Sequence, residues 1–342
     1  MLFKRIKKLK EKYRRKFFLI ATIAVLILAG SLMLTVADFS DGQEPIWGVT
    51  FSQKFAKELD LNWRKVYIAM LDDLKIDHVR LAAYWDEVEP VEGEFHFTDL
   101  DWMLNQAQRR DVKVTLAVGR RLPRWPECHL PTWSSHLDGQ QLDEPVANYI
   151  SRIIERYKGH IAIDRWQVEN EPLLRVFGIC PKFSLDQLKS EVALVRSLDP
   201  SRPVMTTDSG ELSLWLRASK PVDTLGVTMY YRTWNPILKN FRYPWPPAYY
   251  AYKAALAGKL RGVDIIGSEL QAEPWPPNHL SFTEIDPGLH SKLLNTEELI
   301  GNIDFARRTG FGEHYLWGVE WWYWLKENGQ PEVWELMRNL WS

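Results

Sequence analysis

An alternation of short apolar runs with amphipathic helical patterns, repeated from residue 46 to residue 340, constrains the fold more than any other feature. Eight runs read as strands: Ile46–Phe51, His78–Ala83, Lys113–Val118, Arg165–Val168, Val204–Thr207, Thr224–Met229, Asp264–Ser268 and His314–Val319. Helical periodicity falls at Asn62–Leu74, Leu100–Gln108, Val146–Tyr157, Ser184–Leu198, Leu212–Ala218, Pro247–Ala257, Thr296–Arg308 and Val333–Leu340. Capping signals support several starts: Asp60 or Asn62 for the first helix, Thr98 with Asp101 for the second, and Ser184 with Gln187. Eight strands alternating with eight helices is the count of an α/β (β/α)8, or TIM, barrel, whose right-handed crossovers close a parallel sheet on itself. A doubly wound open sheet would expect a Gly-rich phosphate turn, and no G-x-G-x-x-G occurs.

The N-terminus is of another kind. Residues 1–16 carry a net charge of +8 and the rest of the chain −9, which together make the overall −1. Phe17 to Ala37 follows without a single charge, long enough to cross a bilayer as a helix. The organisation expected is a basic cytoplasmic tail (1–16), a transmembrane signal-anchor (17–37), a linker (38–45) and one barrel domain (46–342), with the barrel outside the membrane. A cleaved signal ending at Thr35-Val36-Ala37 would secrete the domain instead, and a buried core helix is the third reading. The acidic body argues against nucleic acid as a partner, since phosphate binding needs a basic footprint.

Export makes a disulfide permissible, and Cys128 and Cys180 are the only two cysteines. They fall after the third and fourth candidate strands, in loops that are neighbours in a barrel. Two unrelated thiols is the alternative. The eight histidines show no metal-ligand spacing, so neither a metal nor any other cofactor is implied. Seventeen tryptophans are many for 342 residues. A large aromatic core accounts for some. Flat indole faces also suit the apolar faces of sugar rings, and Trp125 and Trp275 lie in loops beside proline. Three connections are long, Gly119–Pro145, Tyr230–Pro246 and Gln271–Asn295, and all follow strands, so they crowd one face and suggest a groove for an extended chain.

Two runs end in glutamates: Trp166-Gln-Val-Glu-Asn-Glu-Pro172 and Gly267-Ser-Glu-Leu-Gln-Ala-Glu-Pro-Trp275. Carboxylates at the C-terminal ends of barrel strands sit where such folds place their chemistry. Two of them, about 5–5.5 Å apart, are what retaining cleavage of a glycosidic bond requires. Strand ends four and seven face each other across a barrel mouth, so Glu171 and Glu269 can meet. Glu169, two residues earlier, and Glu273, four residues past the strand end, are rivals. Glu320 reads as a rim residue. The duller readings are a helix cap for Asn170-Glu171-Pro172 and a structural ion pair of Glu269 with Arg80.

These positions resemble the clan A glycoside hydrolases. Asn170-Glu171-Pro172 is similar to the clan's fourth-strand motif, which implies Glu171 as acid/base and Asn170 on the sugar 2-hydroxyl. Ser268-Glu269-Leu270 resembles the nucleophile position on the seventh strand. Arg80 resembles the supporting arginine of the second strand, and Tyr230 the sixth-strand tyrosine. Leu316-Trp317-Gly318-Val319 resembles the eighth-strand element of family 10, implying Trp317 as a subsite floor and Trp321 or Trp324 as a second stacking wall. Glu87 to Phe97 resembles an element after the second strand in families 10, 39 and 42. Ala117-Val118-Gly119-Arg120 lacks the histidine-rich element of family 10, which points to a family 5-like or unassigned branch. The resemblance implies a retaining hydrolase of a β-linked glycan at the cell surface. A transglycosylase remodelling envelope glycans and an inactive glycan-binding barrel are the competing readings.

Overall fold

The computed structural model describes residues 33–341 apart from 236, together with residues 13, 16, 17, 22 and 30. The expected basic tail (1–16) lies almost entirely outside the described residues, and so does most of the expected membrane anchor (17–37). Among the described residues no helix is long and apolar enough to cross a membrane.

Eight parallel strands close into a barrel. They are β1 (Ile46–Thr50), β2 (His78–Ala82), β3 (Lys113–Val118), β4 (Ile163–Val168), β5 (Val204–Asp208), β6 (Thr224–Met229), β9 (Asp264–Gln271) and β10 (Glu313–Trp317), in chain order around the ring, with β10 pairing back onto β1. Between β6 and β9 the chain makes a small antiparallel hairpin, β7 (Arg232–Asn235) and β8 (Lys239–Arg242). The strands are near-continuous apolar runs because helices cover one face and the barrel interior the other. The sealing is aromatic: Trp85, Trp166, Trp215, Trp321, Trp322 and Trp334 are all fully buried.

Local chemistry sets the element ends. Asn62 caps helix Trp63–Asp72, its side chain accepting from the amides of Arg64 and Lys65. Ser184 and Gln187 form a reciprocal capping box on helix Leu185–Leu198. The helix expected at Leu100 begins at Thr98, but Phe97 holds the cap position and no side chain caps it.

Four further expectations are corrected. Residues 212–218 form turns rather than a helix, with Trp215 at φ +67° so that its buried indole donates to the Ser209 carbonyl. The last barrel strand stops at Trp317, where Gly318 at φ +135° turns the chain into an unforeseen helix, Val319–Glu327. Short helices at Gln53–Glu58 and Trp85–Val88 were also not expected. β9 runs three residues past Ser268, so Glu269 lies inside the strand and not beyond it.

Candidate active site

Glu269 is aimed by a fault in the sheet. Along β6, Val227 pairs with Gly267 but Thr228 with Glu269, and the register against β10 also shifts after Gly267. The extra residue is Ser268. A bulge of this kind bends the strand and redirects the side chain beside it. The Ser268 carbonyl accepts instead from Arg80 Nη1 at 3.2 Å and Thr50 Oγ1 at 3.5 Å, both from other strands of the ring.

Arg80, on β2 and wholly buried, is the hub. Nη1 donates to Glu269 Oε1 at 3.0 Å, Nη2 to Asn170 Oδ1 at 2.6 Å, and Nε to Gln167 Oε1 at 2.7 Å. Tyr230, just past β6, donates its hydroxyl to the other Glu269 oxygen at 3.0 Å. Glu269 is thus held by a guanidinium on one side and a phenol on the other.

Glu171 is held differently. β4 ends at Val168, and the chain then takes left-handed conformations at Glu169 (φ +61°) and Glu171 (φ +44°), on either side of Asn170. Such backbone is uncommon for residues with a Cβ and survives only where the surroundings enforce it. Thr207 on β5 does so, accepting from the Glu171 amide at 2.7 Å and donating to Asn170 Oδ1 at 2.8 Å. The Glu171 carboxyl is 6% exposed, and among the described residues it has neither a hydrogen-bond nor an ion-pair partner. Burial first, then the charges of Glu269 and Glu127, hold it well above the usual carboxylate range. The two carboxyls therefore sit in unequal surroundings, one with a cation and a hydroxyl on it and one raised by burial.

The rivals have other partners. Glu169 does not point with Glu171, because the strand has ended and alternation no longer applies. Its carboxylate accepts the amides of Arg120 (3.0 Å) and Arg121 (2.6 Å), with Gly119 leaving room for it. Glu273 pairs with Arg124 and accepts the Trp317 indole N–H at 2.7 Å. Glu320 is fully buried rather than on the rim, accepting from Arg124 Nη2 at 2.7 Å and from the Ser52 amide. Arg124 lies between Phe55 and Trp317, 3.8 and 4.2 Å from their ring centroids. Trp317 thus belongs to the cluster of Glu273, Arg124 and Glu320.

The aromatic residues divide. Trp275 stacks on Tyr230 at 5.4 Å, Phe177 touches Trp275 at 5.6 Å, and the exposed Trp125 touches Phe177 at 5.7 Å, a strip leading outward from Glu269. Trp321 is corrected: it is completely buried, its indole donating to His290, and it forms no wall of the cleft. Cys128 and Cys180 are bridged, tying the loop of Trp125 to the loop of Phe177.

Reading the sequence missed Glu127, Arg124, Gln167 and Thr207. Glu127 is 5% exposed, with Oε2 at 3.2 Å from Asn170 Nδ2 and 3.9 Å from Arg121 Nε. Burial pushes its carboxyl up to about 8 against the pull of Arg121. The available signal was a run of charge among prolines and aromatics beside a cysteine, Arg124-Trp-Pro-Glu-Cys128.

The sequence model of glycosyl hydrolase family 10 matches residues 81–177, from β2 through Glu171. The chain is also similar in part to curated glycoside hydrolases. Endo-1,4-beta-xylanase 2 of Claviceps purpurea is 31% identical over 88 residues, covering 25% of this chain and 25% of the xylanase. A beta-galactosidase of Arthrobacter sp. is 30% identical over 102 residues, covering 25% of this chain and 15% of that protein. The chain thus spans a quarter or less of the length of these two curated relatives. Among solved structures, xylanase 10B of Thermotoga petrophila in complex with xylobiose has a TM-score of 0.53 and 14% identity, covering 80% of this chain and 82% of that one. A GH5_18 protein of Bifidobacterium longum has a TM-score of 0.58 and 14% identity, over 80% and 70%. At such identities the likeness is one of fold, the (β/α)8 barrel.

Proposed function

We propose that the chain is a retaining β-glycoside hydrolase with Glu171 as acid/base and Glu269 as nucleophile. The observation that carries this is the unequal support of two buried carboxyls from strands on different sides of the ring: Glu269 is held by Arg80 and Tyr230, while the Glu171 carboxyl has no hydrogen-bond partner among the described residues. In the first step the Glu269 carboxylate attacks the anomeric carbon. The bond to the leaving oxygen breaks, and that oxygen takes the Glu171 proton. In the second step water attacks the glycosyl ester of Glu269. Glu171 takes the water's proton, and the Glu269 carboxylate departs. Asn170, fixed by Arg80 and Thr207, and Trp317 line the ring between the two acids, and Trp275 and Trp125 extend the surface for further sugars.

The match of the family 10 model over residues 81–177 and the partial similarity to xylanases support a β-linked glycan as substrate. The direct test is a 2-fluoro glycoside, which forms the ester and cannot readily release it; the labelled residue is then located by mass spectrometry.

The uncharged stretch 17–37 after a basic tail, together with the Cys128–Cys180 bridge, supports a membrane-anchored, exported barrel. Full-length protein then stays in the membrane pellet through a carbonate wash. Its release into the soluble fraction at full mass contradicts the anchor.

A further inference from the structure

Glycoside cleavage by the route above uses two carboxyl groups, and this site holds a third. Glu127 comes from the loop after β3, where φ +74° places a non-glycine residue in left-handed backbone. Its neighbour Cys128 is bridged to Cys180, and Gly178 packs so closely that a Cβ there would lie 2.8 Å from the Glu127 Cβ. Two constraints therefore press the side chain inward, onto Asn170, the residue next to Glu171.

Glu127 is poorly compensated where it sits. Oε2 accepts from Asn170 Nδ2, while Oε1 has no partner among the described residues. Arg121 is the nearest cation, but its two terminal nitrogens donate to the carbonyls of Leu174 and Phe177, and its buried Nε makes no hydrogen bond. Arg80 faces the same cluster but spends its donors on Glu269, Asn170 and Gln167. A buried carboxylate without a full partner is costly, and the site then either binds a proton or binds a cation. Burial pushes the Glu127 carboxyl toward the proton.

A ligand bearing a positive charge reverses that balance. It ionises Glu127 and meets Oε1 directly, in a desolvated place where such a charge-assisted bond is strong. It also offsets the crowding of Glu127, Glu171 and Glu269. A uronic acid in the same place sets a further carboxylate against the three carboxyl groups already there. We propose that Glu127 is the specificity-determining residue of this site, and that it selects a sugar carrying a free ammonium group on the ring held between Glu171 and Glu269. The substrate class is then a β-linked glycan containing unacetylated amino sugar. This rests on the hydrolase reading and narrows it.

The test compares oligosaccharides of β-1,4-linked glucosamine with their N-acetylated and neutral glucose counterparts of equal length. Binding is measured by calorimetry on Glu171→Gln and on the double variant Glu171→Gln/Glu127→Gln, so that no turnover is needed. The expected result is at least tenfold tighter binding of the glucosamine oligomer to Glu171→Gln, with that preference lost in the double variant. Thermal unfolding of both variants checks that they are folded. Equal or tighter binding of the acetylated or neutral oligomers overturns the assignment, and so does a preference that survives removal of the Glu127 charge. A failure of the hydrolase reading shows separately, as a wild-type enzyme that turns over none of the three oligomers and takes no label at Glu269.

Discussion

Two glutamates of identical chemistry are set apart by what touches them. Glu269 receives a guanidinium and a phenol, while Glu171 receives only a backbone constraint through Thr207. In the proposed mechanism the phenol matters most in the second step, when the ester breaks and negative charge returns to Glu269. A hydrogen bond to a charged group is worth about 1.5–3 kcal/mol, which corresponds to a fall of roughly 10- to 100-fold in the rate of that step. Tyr230→Phe is therefore expected to lower kcat by at least about tenfold and to let the glycosyl-enzyme accumulate, seen as a pre-steady-state burst. An unchanged kcat, with no burst, means that the hydroxyl does not assist departure of Glu269.

At the scale of elements, the strands were legible because their burial on both faces writes them as unbroken apolar runs. β3 and β6 match their expected bounds, and the order of the ring follows from alternation alone. The charged residues at the mouth were legible where they terminate such runs, as Glu171 and Glu269 do. What the pattern hides is backbone that departs from it. The bulge at Ser268 turns on pairing with β6 and β10, neither of which is local in sequence. Left-handed turns at Trp215 and at Gly318 convert an expected helix into turns and an expected strand end into a helix start. Glu127 was illegible for the same reason. Its loop has no periodicity, and only the disulfide and the packing of Gly178 bring it to Asn170. Trp321 is the opposite case, a residue whose type suggested the cleft and whose helix buries it.

Several acids of the molecule are pushed upward by burial. Glu127 is pushed up to about 8 and Glu320 to about 7, and Glu171, Glu211 and Glu273 are raised as well, burial being the largest cause in each. A carboxyl that binds its proton more tightly when folded stabilises the fold fully below its unfolded value of 4.5, and that stabilisation is lost as pH rises through the folded value. Asp199, lowered to about 2 despite burial by its bonds to Ser201, Trp166 and Arg202, acts the other way and loses its contribution only in stronger acid. The melting temperature is thus expected to peak near about pH 5 and to fall toward about pH 8. Glu127→Gln with Glu320→Gln should flatten that fall, and a melting temperature that rises between those limits contradicts the account.

The central claim is that Glu269 attacks the sugar while Glu171 manages the proton. Trapping with 2-fluoro β-glycosides, followed by peptide mapping, tests it most directly. The account predicts one sugar adduct per chain, carried on Glu269 and absent from Glu269→Gln. An adduct on Glu171 or Glu127, or an active enzyme that never forms one, would contradict it.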